Sequence, residues 1–279
     1  PATPPPCLTI SLARLMRCLD TAPPVIERSE GQATIIKDPR GQCPENTQLS
    51  ISLINNSNAD YFGIIVINDS LRFVENKDSV FEIGSLTKLF TSTMLANLLK
   101  DEKIELDEEI DPYLPFRLRN TDEKNSSITF RTLANHTSGL PRMPDNYAYY
   151  PESIHDAKAY SLETLKEYLE SDLELISNPG EDYIYSNLGY GILGYLVTNL
   201  FNRDYERLLQ KLISGPYKLK NTSSNINKIR NLLVSGKDPN GKVIDNYDYG
   251  ILCPSGGAFS NISDLTKFIQ ANFNDDEIL

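Results

Sequence analysis

Residues 84–100 constrain the fold most strongly, because they combine a helical apolar pattern with two reactive side chains. The apolar positions recur with a period near 3.6 residues, which predicts a helix with a broad buried face. Ser85 and Lys88 stand three residues apart in the predicted first turn, so they share one helix face. The apolar residues of the pattern are Leu86, Leu89, Phe90, Met94, Leu95, Leu98 and Leu99.

The spacing of Ser85 and Lys88 is typical of nucleophilic catalysis. A serine hydroxyl is a weak nucleophile, and a neighbouring amine that has lost its proton can act as its base. Burial lowers the pKa of a lysine toward that role, and the helix N-terminus favours negative charge nearby. The structural alternative is that Ser85 only caps the helix. A capping box would place Glu or Gln where this chain has Lys88.

A second polar group, Tyr185-Ser186-Asn187, lies far downstream. It follows a predicted short strand at 182–185 and precedes an apolar run at 188–201 that predicts a helix. In the structural interpretation, Asn187 caps that helix and Tyr185 belongs to the core. Beside the serine and lysine, another interpretation is that the tyrosine transfers protons and the asparagine holds lysine and substrate.

The two motifs resemble those of the serine β-lactamase-related family, which holds class C β-lactamases, DD-peptidases (penicillin-binding proteins) and related carboxylesterases. Ser85-Leu86-Thr87-Lys88 is similar to the family's S-x-x-K motif, and Tyr185-Ser186-Asn187 to its Y-x-N motif. Further similar stretches follow in the family's order at 81–88, 104–107, 113–115, 133–141 and 255–260.

The resemblance implies an α+β, β-lactamase/transpeptidase-like fold, with an antiparallel sheet packed by helices and an inserted helical subdomain. It also implies a serine hydrolase that forms an acyl-enzyme on an ester, amide or β-lactam carbonyl. Ser85 would be the nucleophile, Lys88 and Tyr185 would share the proton transfers, and Asn187 would orient Lys88 and the substrate. No metal or organic cofactor is implied, and the expected partner is a small-molecule or peptide substrate.

One expected motif does not occur in the sequence. The family's K-T-G or H-x-G strand should follow Gly256-Gly257, but neither pattern is found up to Leu279. In the family that strand carries a backbone N–H of the oxyanion hole, and such a donor is often worth about 3 kcal/mol. Either the sequence is a fragment or the site is incomplete. The alternative function is therefore a catalytically weak or inactive binding or sensor protein of the same fold.

Proline density separates an N-terminal extension, residues 1–45, from a hydrolase domain at 46–279 that is expected to lack its C-terminal strands. The extension holds eight of the 17 prolines, and its residues 8–19 predict a short amphipathic helix. In the domain, Gly191 and Gly194 predict close packing of the 188–201 helix. A hairpin is predicted from strands at 48–55 and 61–67, and further helices at 162–175, 205–213 and 263–273.

Charge and hydropathy exclude some classes of partner. The net charge of −11 argues against nucleic acid, because phosphate binding needs a basic face. No run of 18 apolar residues predicts a transmembrane helix. The sequence begins at Pro1 rather than methionine, so a removed signal peptide is one explanation. The resemblance favours a periplasmic or secreted location, a cytoplasmic one stays open, and no oligomeric state is indicated.

Cysteine and histidine are too sparse for a structural zinc site, since no C-x-x-C occurs and only His136 and His155 supply imidazole. His136 falls in a loop that the family uses structurally, and His155 is predicted at the surface. A Cys43–Cys253 disulfide is one option, because connectivity does not follow from sequence. The four cysteines are Cys7, Cys18, Cys43 and Cys253.

Two tyrosine groups have open roles. Tyr147, Tyr149 and Tyr150 follow the 133–141 stretch in a loop that either borders the substrate cleft, by analogy, or forms a surface cluster. The same alternatives apply to Tyr247 and Tyr249, which precede the 255–260 stretch.

Overall fold

The computed structural model describes residues 26–29, 32–35, 45–55, 57–68, 70–119, 127–147, 160–237 and 242–273. Several predictions concern residues outside these ranges and stay predictions. They are the helix at 8–19, the cysteines Cys7, Cys18 and Cys43, the surface position of His155, and the placement of Tyr149 and Tyr150.

The described strands form small antiparallel sheets, and the largest consists of β3 (Gln48–Asn55), β4 (Asn58–Ile67) and β5 (Ser70–Val74) in that order. Its register runs from Gln48↔Ile65 to Asn55↔Asn58, which confirms the predicted hairpin although its second strand begins earlier than expected. The strands are β1 (Ile26–Ser29), β2 (Gln32–Ile35), β3 (Gln48–Asn55), β4 (Asn58–Ile67), β5 (Ser70–Val74), β6 (Phe81–Glu82), β7 (Gly236–Lys237), β8 (Val243–Ile244) and β9 (Phe259–Ser260).

Helices build the larger part of the described core. Short 3₁₀ turns at Gly84–Leu86 and Gly250–Leu252 lead into two of them, and a third 3₁₀ turn lies at Asp111–Tyr113. The helices are α1 (Thr87–Lys100), α2 (Phe130–Ala134), α3 (Leu162–Ser171), α4 (Asn187–Phe201), α5 (Tyr205–Leu208) with its π-helical continuation Leu209–Ser214, α6 (Ile226–Ile229), α7 (Cys253–Gly256) and α8 (Ile262–Phe273).

Helix α1 lies in the centre of this core, as its apolar pattern predicts. Phe90, Met94 and Leu98 are each fully buried, and a buried side chain of this size contributes about 1.5–3 kcal/mol to stability. Helix α8 packs against α1 through the edge-to-face pair Phe90–Phe268, whose ring centroids are 5.0 Å apart. It also meets strand β3, where the Thr266 hydroxyl donates to Ser52 Oγ over 2.9 Å. Helix α8 therefore joins the sheet to helix α1.

Helix α4 approaches α7 closely, and glycine makes the approach possible. A Cβ atom on Gly191 would lie 2.3 Å from Leu252 Cδ2, and one on Gly194 would lie 2.1 Å from Pro254 Cβ. Both distances are shorter than real Cβ contacts, so only glycine fits there. This confirms the predicted close packing and brings the 253–256 turn beside the start of α4.

One predicted strand is wrong, and the helix predicted at 162–175 is shorter than expected, because it ends at Ser171 with Asp172 as its C-cap. Residues 182–185 do not form a strand, because no neighbouring strand lies beside them among the described residues. Instead, the Ile184 N–H donates to the His136 carbonyl over 2.8 Å, which fixes the segment to a loop. Among the described residues, no helix has both the length and the apolar character needed to cross a bilayer.

Candidate active site

Ser85 occupies the middle of the 3₁₀ turn that precedes α1, and its side chain is exposed. The turn is fixed to the opposite segment, because Ile83 N–H donates to the Ala258 carbonyl (3.1 Å) and Ala258 N–H donates to Thr87 Oγ1 (3.1 Å). No side-chain cap bond forms at this helix start. The capping interpretation of Ser85 is therefore wrong, and its hydroxyl is available for chemistry.

Lys88 is buried, with 6 % of its surface exposed, and its ammonium has three acceptors. Nζ donates to Asn187 Oδ1 over 2.7 Å and to the Ser255 carbonyl over 2.6 Å. Ser85 Oγ lies 3.4 Å away. A neutral amine has two N–H groups, and the Asn187 and Ser255 carbonyls accept one each. The lone pair of the neutral Lys88 amine then faces the third contact, Ser85 Oγ.

The pKa of Lys88 is lowered from its ordinary value of 10.5 to about 7. Burial is the larger cause, and the positive charge of Arg142 adds to it. Both disfavour the ammonium form. Near neutral pH a substantial fraction of Lys88 is then unprotonated, as a general base for a serine requires.

Tyr185 is a second side chain in contact with Ser85. Its hydroxyl donates to Ser85 Oγ over 2.6 Å, and its ring centroid lies 4.8 Å from Lys88 Nζ. The tyrosine is only half-buried, so the alternative that it belongs to the core is wrong. The serine oxygen thus lies between a phenol and an amine.

Asn187 is the first residue of α4, but it does not cap that helix. The cap is Ser186, whose hydroxyl accepts the Gly189 N–H over 2.8 Å. The Asn187 amide is left to accept from Lys88, and its Nδ2 faces Met143 Sδ at 3.4 Å. The interpretation of Asn187 as a helix cap is therefore wrong. The four residues predicted from sequence, Ser85, Lys88, Tyr185 and Asn187, form one hydrogen-bonded group.

His136 packs against Tyr185 and binds the main chain next to it. Its Nδ1 accepts the Ser186 N–H over 3.1 Å, and its ring lies 4.4 Å from the Tyr185 ring. Burial and the charge of Lys88 lower the pKa of His136 to about 4, so the imidazole is neutral at physiological pH. Its position behind Tyr185 agrees with the structural role expected from sequence.

Sequence reasoning missed Arg142. Its main-chain carbonyl accepts the N–H of Asn187 over 2.9 Å, and its guanidinium carbon lies 5.2 Å from the Tyr185 ring centroid. The only available signal was its position directly after the 133–141 stretch that resembles the family.

The described members of the two tyrosine groups, Tyr147, Tyr247 and Tyr249, form one aromatic cluster. Tyr147 lies 6.4 Å from Tyr247, and Tyr247 lies 4.8 Å from Tyr249, between ring centroids. A Cβ on Gly256 would be 2.8 Å from the Tyr249 ring, so the cluster rests on the turn that supplies the Ser255 carbonyl.

Cys253 is a free thiol among the described residues, and the Cys43–Cys253 disulfide stays a prediction because Cys43 lies outside them. Burial raises the pKa of the Cys253 thiol to about 12, so the thiol is inert at neutral pH. Among the described residues, no three His, Cys, Asp or Glu side chains converge on a point where a metal ion would bind.

A comparison with family models matches residues 75–279 to the family described as "Beta-lactamase". Among curated proteins, D-alanyl-D-alanine-carboxypeptidase/endopeptidase AmpH of Escherichia coli (strain K12) is 31% identical over 204 residues, which cover 71% of this chain and 50% of the relative. A protein named Beta-lactamase from Pseudomonas fluorescens is 26% identical over 247 residues, which cover 85% of this chain and 63% of the relative. The chain thus spans about half the length of AmpH.

Solved structures share the fold. A Beta-Lactamase/D-Alanine Carboxypeptidase from Pseudomonas syringae superposes with a TM-score of 0.67 at 23% identity, covering 83% of this chain and 62% of that one. The octameric penicillin-binding protein homologue from Pyrococcus abyssi gives a TM-score of 0.66 at 21% identity, covering 84% and 54%. These likenesses confirm the predicted α+β, β-lactamase/transpeptidase-like fold.

Proposed function

Because this chain belongs to the beta-lactamase family, we propose that it is a serine hydrolase that acts through an acyl-enzyme on Ser85. The family and the names of the relatives support hydrolase-type activity in general terms. The observation that carries the finer proposal is the arrangement of Lys88, whose two carbonyl acceptors leave the lone pair of the neutral amine facing Ser85 Oγ.

In the acylation step, Ser85 Oγ forms a bond to the substrate carbonyl carbon, and the hydroxyl proton moves to the neutral Lys88 amine. The carbonyl π electrons move to the oxygen, which becomes an oxyanion. The Ser85 N–H is one donor for that oxygen, since it makes no backbone hydrogen bond within the described part of the chain. The positive end of α1 lies beside the same place and favours the developing charge.

The oxyanion then collapses and the bond to the leaving group breaks. Lys88 and Tyr185 share the return of the proton to the departing oxygen or nitrogen, because both contact Ser85 Oγ. A water molecule next attacks the acyl carbon while the same pair accepts its proton. The bond from that carbon to Ser85 Oγ then breaks, the proton passes to Ser85 Oγ, and the acid product leaves. Asn187 holds the lysine throughout through its 2.7 Å hydrogen bond.

The substrate class is proposed as esters, amides or β-lactams. Relatives whose names specify a carboxypeptidase/endopeptidase and a β-lactamase support the last two. A second candidate is a binding or sensor protein of the same fold that acylates weakly or not at all. It stands beside the first because the family and the names of the relatives give hydrolase-type activity only in general terms.

A covalent probe distinguishes the two candidates. The purified 279-residue chain is incubated with a fluorophosphonate or a labelled penicillin, and the adduct is located by intact mass and peptide mapping. We expect one adduct on Ser85, lost in Ser85→Ala and kept in Ser70→Ala, which removes an exposed serine in β5. A hydrolase also turns over p-nitrophenyl esters. An adduct without turnover would support the sensor, and labelling that survives in Ser85→Ala would overturn the nucleophile assignment.

A further inference from the structure

Arg142 places a permanent positive charge at the mouth of the site. Its side chain is exposed, while its carbonyl is fixed by the N–H groups of Asn187 (2.9 Å) and Leu188 (3.3 Å). The guanidinium lies against the Tyr185 ring at 5.2 Å, and the hydroxyl of that ring contacts Ser85 Oγ. The guanidinium and the nucleophile therefore flank the same phenol.

Among the described residues, no carboxylate forms an ion pair with this charge of Arg142, although the chain carries 38 acidic residues against 27 basic ones. The charge acts instead on Lys88, whose pKa it helps to lower. Two cationic groups side by side repel each other, so their proximity is unfavourable in the free protein. An anion from outside would remove that cost.

We propose that Arg142 determines substrate specificity by binding a carboxylate carried by the substrate whose carbonyl reacts with Ser85. The proposal rests on the proposed function. A guanidinium offers two parallel N–H donors that match a carboxylate, and contact with the Tyr185 ring limits its rotation. The Tyr185 ring also fixes the distance between the bound carboxylate and the reacting carbonyl, because a substrate bound to Arg142 extends along this ring toward Ser85.

The test compares matched pairs of esters that differ in one charge. The first pair is mono-p-nitrophenyl adipate and its methyl ester, which carry the charge on the acyl side. The second pair is 4-acetoxybenzoate and its methyl ester, which carry the charge on the leaving group. Each is assayed with the wild type, Arg142→Gln and Arg142→Lys, at a pH about 1.5 units above the Lys88 pKa so that Lys88 is neutral in the wild type.

We expect Arg142→Gln to lower kcat/KM by about tenfold or more for the anionic member of at least one pair, mainly through KM. Any change shared by both members of a pair reflects the effect of Arg142 on Lys88, so the readout is the ratio of anionic to neutral rates. The pair whose ratio falls tells which end of the substrate meets Arg142. For the anionic ester, kcat/KM of Arg142→Lys should lie between those of the wild type and Arg142→Gln, because lysine keeps the charge but lacks the two parallel N–H donors of the guanidinium. Arg203→Gln, at an exposed arginine beyond the far end of α4, controls for net charge. An unchanged ratio of anionic to neutral rates in Arg142→Gln for both pairs would overturn the proposal.

A binding measurement separates this proposal from the chemistry of Ser85. In Ser85→Ala the same esters bind without reacting, and calorimetry gives their dissociation constants with and without Arg142→Gln. Tighter binding of the anionic member that depends on Arg142 supports the proposal even if the wild type hydrolyses none of the esters, which would refute the proposed function alone. Equal affinities for the anionic and neutral members would refute the role of Arg142.

Discussion

Replacing Lys88 by methionine should change how the stability of this protein depends on pH. The pKa of Lys88 is about 7 in the folded protein against an ordinary 10.5, so between these values the unfolded chain holds one proton more than the folded one. The free energy of unfolding of the wild type should therefore rise with pH in this window, by about 1.4 kcal/mol per pH unit from this group. Methionine has no proton to lose, so the variant lacks that contribution.

The size of the stability difference follows from the pH range between the folded and the ordinary pKa of Lys88. Between the folded pKa and a pH about 2.5 units higher, the wild type should gain about 3 kcal/mol relative to Lys88→Met. The variant also leaves Asn187 Oδ1 and the Ser255 carbonyl without their donor, at a cost of roughly 1–3 kcal/mol each. Because that cost does not depend on pH, it shifts the difference between the two proteins without changing its slope.

The assay is urea unfolding followed by far-ultraviolet circular dichroism, at pH values from about one unit below to 2.5 units above the Lys88 pKa. The quantity of interest is the wild-type free energy of unfolding minus that of Lys88→Met. Lys100→Met removes an exposed lysine at the end of the same helix and controls for net charge. A difference that stays flat over this range would mean that Lys88 is charged in the folded protein, and the proton-accepting role argued here would be wrong.

Further predictions concern the chemistry and the core. Tyr185→Phe should lower p-nitrophenyl ester hydrolysis by about 10²–10⁴-fold with an unchanged melting temperature, and equal activity would exclude a proton-transfer role. In the wild type, kcat/KM should rise with pH through about 7 as Lys88 loses its proton, and a profile flat across that pH would contradict the assignment. Gly194→Ala should destabilise by about 1–3 kcal/mol in urea unfolding because its Cβ meets Pro254 at 2.1 Å. Gly189→Ala, with nothing closer than 3.4 Å, is the matched control and should be neutral or stabilising. The folded pKa of His136 is about 4 against 6.5, so stability should fall as the pH drops from 6.5 toward 4, and His136→Asn should flatten that loss.

Local pattern was sufficient to predict the helix that follows Ser85, although Ser85 itself lies in the 3₁₀ turn before it. Its apolar period and its buried face agree, because residues such as Phe90 and Leu98 pack inward at helical spacing. The hairpin of β3 and β4 was predictable for the same reason, since alternation and a polar turn act over short range. Gly191 and Gly194 also indicated close packing before any partner was known, because glycine in an apolar helix is costly unless something lies against it.

Long-range contacts account for what the sequence did not show. The stretch at 182–185 has strand-like composition, but a strand needs a neighbour, and the loop at His136 takes its hydrogen bond instead. Capping residues were misassigned by one position at α4, because Ser186 and Asn187 are both good caps and only the structure shows which one turns toward Lys88. Arg142 has no local signature beyond its position after the 133–141 stretch, since its proposed role depends on a tyrosine far along the chain.

The two carbonyls that hold Lys88 come from residues 99 and 167 positions further along the chain. Contacts of such sequence separation close large loops, so they form late when a chain folds. Before they form, the lysine is in water with its ordinary pKa, and Ser85 has no base. Reactivity at Ser85 should therefore appear together with the last long-range contacts. The rate at which a refolding sample becomes able to react with a fluorophosphonate then measures how fast the segments of Lys88, Asn187 and Ser255 come together.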